Sequence, residues 1–437
     1  MGKGPAGLAR LGGNEAAFLP DVLSKENGAP LTEGGRHHRT TTPVALASGG
    51  LVALAAGMGV GRFVYTPILP AMIEGLGLTK AEAGLIASAN FFGYLVGALL
   101  AAAPGLPGTR RAWLLGSLSL GAATTGGMGL ASSLPAFLAL RCAGGSASAF
   151  VLVFASALVF DRLAEVNRGG LSGLHFAGVG IGIALSAALV SVLLTSGADW
   201  RVLWFAAGAA SLAAVPAVAW LVPEHASPPV ITPLPRAGGG DPGHGLAALA
   251  WAYSLFGFGY VVTATFLVTI VRANPEMRSV EPWVWVVVGL TAAPSVALWV
   301  WLGARLGITR TFAVACLVEA VGVATSVLWP TRGGALLAAV LLGGTVMGIT
   351  ALGLAGGRRL AAGDPRRALG LLTAAFGVGQ IVGPALAGFL YDRTGDFIVP
   401  SLLAAAALAA AAAVVTRVHL PPAPNPTLQK GQQACAD

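Results

Sequence analysis

The sequence predicts an all-α integral membrane protein with twelve transmembrane helices in two six-helix halves. Of its 437 residues, 55% are hydrophobic and only 10% are charged, whereas soluble domains carry roughly 25% charged residues. The apolar residues form long runs, and one long polar segment separates six runs from six. The chain is therefore predicted to be embedded in a lipid bilayer.

Polar segments open and close the chain. Residues 1–43 are rich in glycine, mixed in charge and without an apolar stretch long enough for a signal-peptide core. We interpret them as a disordered cytoplasmic tail. The alternative is a start codon assigned too far upstream, which N-terminal sequencing of the mature protein would reveal. Residues 420–437 begin with a proline-rich stretch and are predicted to form a second cytoplasmic tail.

Each long apolar run is interpreted as one helix. A span needs about 20 mostly apolar residues, and backbone that faces lipid must satisfy its own hydrogen bonds. The predicted spans are 44–70, 83–103, 112–131, 135–160, 171–195, 200–222, 246–271, 283–303, 311–329, 333–357, 368–391 and 397–419. They form an N-terminal bundle, 44–222, and a C-terminal bundle, 246–419. The proline- and glycine-rich segment 223–245 is the predicted cytoplasmic linker between them.

The distribution of basic residues predicts the orientation. With the N-terminus inside, eighteen of the 26 lysines and arginines fall in inward-facing segments and six in outward-facing ones. Since positive residues favour the cytoplasmic side, both termini are predicted to be cytoplasmic. The basic residues form no patch, so the composition argues against a nucleic-acid partner. The three cysteines give no framework for a disulfide or a metal site, and we expect no cofactor.

Several motifs resemble those of the major facilitator superfamily. Residues 138–147 open the fourth span with an arginine followed by glycines, and residues 305–307 and 392–395 are similar to loop signatures of the superfamily. Residues 61–67 (GRFVYTP) and 88–94 (SANFFGY) more narrowly resemble the YbfB/YjiJ-type bacterial branch. The resemblance covers about residues 44–420. It implies a monomeric transporter in a bacterial inner membrane, with spans one, four, seven and ten around a central cavity.

The chain departs from the superfamily pattern in three places. The loop after span two, residues 104–111, lacks the aspartate of the superfamily's main gating motif, and Ala304 stands where the aspartate of its second copy would be. Residues 178–182 in span five lack the glycine-proline signature that the resemblance associates with drug antiporters. We therefore do not expect the usual charge relay at the inner gate.

One charge interrupts the first span. Arg62 lies within the apolar run, where an arginine costs about 3 kcal/mol even on insertion scales, so we interpret it as functional. Residues three or four apart share a helix face, which places Tyr65 and Thr66 beside it. Such a wall can hold a carboxylate or phosphate through bidentate hydrogen bonds. The alternatives are that Arg62 extends outward to the interface or pairs with Glu74.

Other polar residues within spans are further candidates for the substrate site. The resemblance implies that Arg141 and Tyr260 share the cavity with Arg62, and Thr263 lies on the face of Tyr260. An arginine that bonds backbone carbonyls at the outer mouth is the alternative for Arg141, and both interpretations stay open. Asn90 and Gln380 could contact substrate, although hydrogen bonding between helices is the interpretation we favour for both.

Two titratable residues are candidates for coupling transport to a proton. Glu319 is the single acid in the middle of a span, and small residues on its face indicate that it packs against protein. The resemblance places its span, the ninth, away from the cavity. His175, near the inner end of span five, titrates close to neutral pH when unperturbed, but a plain hydrogen-bonded contact is an equal alternative.

These features predict a secondary transporter rather than an enzyme. The glycine repeats lack the spacing and strand context of nucleotide loops, and Ser172 and His175 lie too close on one helix to act as nucleophile and base. The predicted substrate is a small organic solute moved between two rocking halves, and the intramembrane arginines favour an anion. The alternative is a transport-incompetent receptor or assembly factor on the same scaffold, for which the short loops provide no output domain.

Overall fold

The computed structural model describes residues 42–103, 105–224, 243–361 and 365–420, and every regular element in these ranges is a helix. The predicted tails 1–43 and 420–437 and the linker 223–245 lie almost wholly outside the described residues. We refer to residues 42–224 as the N-terminal segment and to residues 243–420 as the C-terminal segment.

Thirteen α-helices are present in the described ranges. In chain order they are α1 (Pro43–Leu54), α2 (Tyr65–Leu76), α3 (Lys80–Ala101), α4 (Arg110–Gly127), α5 (Leu134–Glu165), α6 (Ser172–Thr195), α7 (Trp200–Leu221), α8 (His244–Ala273), α9 (Glu281–Leu306), α10 (Ile308–Leu328), α11 (Arg332–Leu360), α12 (Pro365–Thr394) and α13 (Ile398–Val415). A π-helix, Ala55–Val60, follows α1, and short 3₁₀ turns, Gly169–Leu171 and Arg278–Val280, precede α6 and α9.

Eleven of the helical stretches in the described ranges are long and apolar enough to cross a membrane, with α1, the π-helix and α2 counted as one stretch. The third predicted span, 112–131, is the exception. It forms α4, which starts with Arg110 and Arg111 and contains many serines, threonines and glycines. Helix α4 nevertheless packs along α5 and α7 like its neighbours.

The first predicted span, 44–70, is not one regular helix. The amides of Gly61 and Phe63 bond to carbonyls five residues earlier, and a turn at residues 61–64 precedes α2. Pro67 explains part of the break, because it has no N–H to donate to the carbonyl of Phe63 and its ring would clash there. The irregular backbone lies inside the helix bundle, where membrane proteins tolerate it.

Two pairs of helices join the N-terminal and C-terminal segments along much of their length. Helix α3 packs on α12, and α6 packs on α9. Glycines bring these backbones together: a side chain at Gly84 would overlap the backbone of Pro384, and one at Gly180 would overlap Gly289 and Ala293. Close approach through small residues is the usual way in which membrane helices pack.

Candidate functional site

A cavity of about 120 Å³ lies between the two segments, and Arg62 is the charged residue on its wall. The described residues that line it are Met58, Arg62, Phe63, Tyr94, Leu152, Phe176, Val179, Ile183, Tyr260, Ala264, Trp285, Val288, Leu342, Val346, Met347, Thr350, Leu354, Phe376 and Gln380. They come from the broken first span and from α3, α5, α6, α8, α9, α11 and α12, so helices of both segments enclose the space.

Aromatic rings surround the Arg62 guanidinium. Its central carbon lies 4.1 Å from the ring centre of Tyr94, 4.7 Å from that of Phe91 and 5.3 Å from that of Phe63. Such cation–π contacts stabilise a desolvated guanidinium by about 2 kcal/mol each at most and leave its charge in place. Nε and Nη2 of Arg62 are buried and have no hydrogen-bond partner. The cavity wall therefore carries a positive group, two of whose nitrogens have no hydrogen-bond partner among the described residues.

Arg62 is neither extended to the interface nor paired with an acid among the described residues. Its exposed fraction is 4%. Glu74, the alternative partner, instead forms an ion pair with Arg272 at 3.2 Å, and Arg272 also pairs with Glu281 at 2.5 Å. The charge of Arg62 thus remains available to a ligand.

The wall of the C-terminal segment carries Tyr260 and Gln380. The Gln380 amide donates from Nε2 to the Tyr260 hydroxyl, and Oε1 of Gln380 is buried without a partner. Phe376 lies almost parallel to the Tyr260 ring, with centres 5.8 Å apart. Trp285, on α9, adds a buried indole N–H that also has no partner. These four residues give the cavity a mainly aromatic wall with a few unsatisfied polar atoms.

Sequence reasoning missed several of these wall residues. Tyr94 was identifiable, because it lies four residues after Asn90 and therefore on the same face of its helix. Phe376 carries the same signal, because it lies four residues before Gln380. Trp285 carries none, since no polar residue of the predicted site lies on its helix. Tyr253 is not an interfacial residue: it is 1% exposed, donates to the carbonyl of Thr350 at 3.1 Å and stacks on Phe376.

The structure places Arg141 behind the cavity wall. Its Nη1 and Nη2 donate to the carbonyls of Gly61 and Arg62 at 3.3 and 3.1 Å, so the arginine holds the turn that presents Arg62. Its guanidinium also lies 5.0 Å from the ring of Tyr65. Asn90 donates to the carbonyl of Arg141 at 2.9 Å, which is the bond between helices favoured by the sequence analysis.

Tyr65, Thr66 and Thr263 are buried and do not line the cavity. The Tyr65 hydroxyl donates to the carbonyl of Ala83 at 2.8 Å, and the Thr66 hydroxyl donates to that of Ala264 at 2.6 Å. The hydroxyl of Thr263 has no partner. Tyr65 and Thr66, which were predicted to lie beside Arg62, are therefore bonded to backbone carbonyls and are not among the residues that line the cavity.

Glu319 and His175 lie outside the cavity lining. The Glu319 side chain is fully buried on α10, and its carboxyl lies beside the hydroxyl of Thr345 of α11. His175 bonds through Nε2 to Ser156 at 3.0 Å and packs edge-on against Phe160. In the described part of the chain, no group of three histidine, cysteine, aspartate or glutamate side chains could hold a metal ion.

Hydrogen bonds join the two segments at the end of the bundle that contains the α2–α3 connection, residues 77–79. We call this end the far end. Asp392 of α12 accepts the backbone amides of Lys80 and Ala81 at 3.1 and 2.9 Å, so it caps the start of α3. Deeper in the bundle, Ser88 donates to the carbonyl of Ile381 at 2.6 Å. Together with the ion pair between Arg272 and Glu74, these contacts join both segments at this end.

Comparisons with known proteins agree with this architecture. Residues 54–416 match the family described as the uncharacterised MFS-type transporter YbfB. No curated protein matches the sequence. Among solved structures, a variant of the nucleoside transporter NupG has a TM-score of 0.68 at 16% identity, with 85% of this chain and 99% of that chain covered.

A bacterial homologue of the human lysosomal transporter Spinster, in an inward-facing and occupied conformation, is also similar. Its TM-score is 0.65 at 16% identity, with 87% of this chain and 98% of that chain covered. At such low identity these likenesses show the fold alone. Because the family match extends over most of the 437 residues, this chain belongs to the YbfB-type family of transporters within the major facilitator superfamily.

Proposed function

We propose that the protein is a secondary active transporter that moves a small organic anion by alternating access. The observation that carries this proposal is Arg62: a charged side chain on the wall of a cavity between two helical segments, with two buried N–H groups that lack a partner. Intramembrane charges are rare and usually mark a pathway or a site. A solute carboxylate would satisfy both donors at once.

We further propose twelve spans in two six-helix halves, with α4 as the third span. The contacts between the segments support this count. With α1 and α2 taken as one span, α3 and α12 are spans two and eleven, and α6 and α9 are spans five and eight. A rotation that exchanges the two halves shifts each span number by six. Spans two and eleven then take the places of spans eight and five, so the first pair of contacts becomes the second. Duplicated transporters that rock around a central site have this symmetry.

Within the site, we assign solute contact to Arg62, Tyr260 and Gln380, and add Tyr94. Arg141 and Asn90 act as positioning residues, because they bond the backbone of the first span and of α5. The remaining candidates, Tyr65, Thr66 and Thr263, belong to the packing behind the wall.

Glu319 is the proposed carrier of a coupling proton. Its carboxyl faces Thr345 of α11 and Cys316 of its own helix, and Tyr260 of α8 lies within electrostatic reach. An ionised carboxylate without a partner would be very costly in this place. Proton gain and loss at Glu319 would therefore be felt at the cavity wall through Tyr260.

Flux into proteoliposomes tests the function. Wild-type protein should accumulate a labelled organic acid from a panel of solutes, and Arg62→Ala and Arg62→Lys should both abolish uptake, because lysine keeps the charge but not the bidentate geometry. Arg278→Ala is the matched control, since Arg278 is exposed between α8 and α9. Wild-type uptake in both Arg62 variants would refute the assignment, and saturable binding without flux would favour the receptor or assembly-factor alternative.

The orientation is proposed from the basic residues: both termini in the cytoplasm, in a bacterial inner membrane, with the monomer as the working unit. A topology reporter fused after Lys430 should report the cytoplasm. A periplasmic signal would contradict the proposal.

A further inference from the structure

The cavity offers one charge and mostly apolar surface. Among its lining side chains, Arg62 alone is ionic, and apolar residues such as Phe176, Ile183, Val288, Met347 and Phe376 form most of the remainder. Some polar atoms are already used, because the Tyr260 hydroxyl accepts from Gln380 and the Thr350 hydroxyl donates to the carbonyl of Val346 at 2.8 Å. This wall suits a solute with one polar end and an apolar body.

The unsatisfied polar atoms indicate what that polar end is. Arg62 contributes two buried donors without partners, and Trp285 contributes another. Buried donors left unpaired are unfavourable, so a ligand rich in acceptor atoms gains most here. A carboxylate has two acceptor oxygens in a geometry that matches the guanidinium edge. The rings of Phe91 and Tyr94 lie 4.7 and 4.1 Å from the guanidinium carbon and supply no anion that would compete with such a ligand.

The single charge also limits the solute to a single negative charge. A second carboxylate would be desolvated against apolar residues with no cation to pair with, which is strongly unfavourable. A neutral polar solute would leave Arg62 uncompensated. Both the charge and the apolar wall therefore favour a monoanion over a dianion or a sugar-like molecule.

The volume of the cavity limits the size of the solute. A water molecule needs about 10–15 Å³ of such space, so a cavity of about 120 Å³ accommodates roughly ten non-hydrogen atoms. Benzoate and phenylacetate have this size, one charge and an apolar ring.

Resting on the proposed function, we propose that the solute is a small hydrophobic monocarboxylate of about the size of benzoate. Its carboxylate binds the edge of the Arg62 guanidinium, and its ring or aliphatic body packs between the walls of the two segments. The family match alone gives no substrate class for this cavity.

Binding to the purified full chain in detergent tests the substrate class. Calorimetric titrations would compare benzoate and phenylacetate with benzamide, phthalate and uridine, which represent a neutral isostere, a dianion and a neutral polar solute. We expect benzoate to bind at least about tenfold more tightly than benzamide, since a buried charge left unpaired costs that much or more. Phthalate and uridine should not bind measurably.

Two variants connect the preference to the site. In Arg62→Ala, the preference for benzoate over benzamide should disappear. In Val346→Phe, which narrows the cavity without touching Arg62, phenylacetate affinity should fall at least about tenfold. Thermal unfolding without ligand verifies that both variants fold, and Arg278→Ala again serves as the control with wild-type affinity.

The outcomes separate this inference from the proposed function. Flux of a neutral or dianionic solute without binding of either monocarboxylate overturns the inference and leaves transport standing. Monocarboxylate binding that depends on Arg62, with no flux of any solute, supports the site and contradicts transport. An unchanged benzoate preference in a folded Arg62→Ala variant also overturns the inference.

Discussion

At the scale of single residues, the site depends on two arginines with different tasks. Arg62 keeps unpaired donors at the cavity wall, whereas Arg141 donates to two carbonyls of the turn that carries Arg62. In the proposed site, Arg62 binds the solute, and Arg141 holds the turn that carries Arg62. Their effects on substitution should differ accordingly.

Arg141→Ala should lower the thermal stability of the protein. Any loss of transport should be a consequence of that lower stability. Two buried carbonyls lose their partner, at about 1–3 kcal/mol each, and the turn at residues 61–64 loosens. Differential scanning fluorimetry of the purified protein would show the lower melting temperature. Arg201→Ala is the matched control, because Arg201 also donates to a carbonyl, that of Gly129 at 2.8 Å, but near the surface. An Arg141→Ala variant of wild-type stability that no longer binds solute would instead indicate direct contact with the substrate.

Glu319→Gln should separate coupling from translocation. The amide keeps the shape of the side chain but cannot gain or lose a proton, so accumulation driven by a proton gradient should be lost while solute exchange across proteoliposomes continues. His175→Asn should retain accumulation, because His175 is bonded to Ser156 and lies in an aromatic cluster. Proton-driven uptake in Glu319→Gln would exclude that carboxyl as the carrier.

In the proposed site, Arg62 is easier to single out from the sequence than the residues around it. Arg62 was recognisable because an arginine within an apolar run is energetically costly and usually has a function. For Tyr65 and Thr66 the sequence could not show that both hydroxyls bond backbone carbonyls of other helices, those of Ala83 and Ala264. The pairing of Gln380 with Tyr260 joins two helices 120 positions apart, and no local pattern specifies such a contact.

At the scale of helices, the broken first span is the feature that shapes the site. The π-helix Ala55–Val60 and the following turn lie between α6 on one side and α5 on the other. Gly59 packs directly on the backbone of Gly182, so α6 supports the irregular backbone from behind. The residues that favour a break in the first span, Pro67 and the glycines, can be identified in the sequence. The hydrogen-bond pattern of the break cannot be predicted from them.

Gly59→Ala should destabilise the protein. The added methyl group would overlap the backbone of Gly182, and overpacking of this kind costs about 1–3 kcal/mol. Thermal unfolding of the purified variant should show a lower midpoint. Gly116→Ala is the matched control, because Gly116 lies on α4 with open space around it, where alanine stabilises a helix by up to about 1 kcal/mol. Equal midpoints for the two variants would mean that the close contact has no energetic role.

At the scale of the whole molecule, the extent of the helical fold was predictable and the arrangement of helices was not. Twelve apolar runs gave twelve helical stretches in the expected order, although α4 does not reach the length and apolarity of the other eleven. Which helices join the segments depends on contacts far apart in the sequence. Small residues such as Gly84 and Gly180 occur throughout the chain, so their partners could not be recognised in advance.

A chain divided between residues 230 and 231 should assemble from its two parts. Helices α3 with α12 and α6 with α9 pack along their lengths, so contacts between helices rather than chain continuity should hold the segments together. Co-expression of the two parts, purification through a tag on one part and flux measurements would test this. A division between residues 168 and 169 is the comparison, because it separates α5 from α6 within one segment. Failure of the two parts to co-purify after the first division would contradict two separately folding halves.

The Asp392 cap has a consequence for the conformational equilibrium of a transporter of this kind. As long as the far end is joined, the first turn of α3 has its amides satisfied by a carboxylate from the other segment. Any state that parts the segments there must give up this cap together with the ion pair between Arg272 and Glu74, and caps are worth about 1 kcal/mol. One aspartate thus biases the resting population toward the state that is joined at the far end, and a solute must bind the opposite state more tightly by at least that amount to reverse the preference.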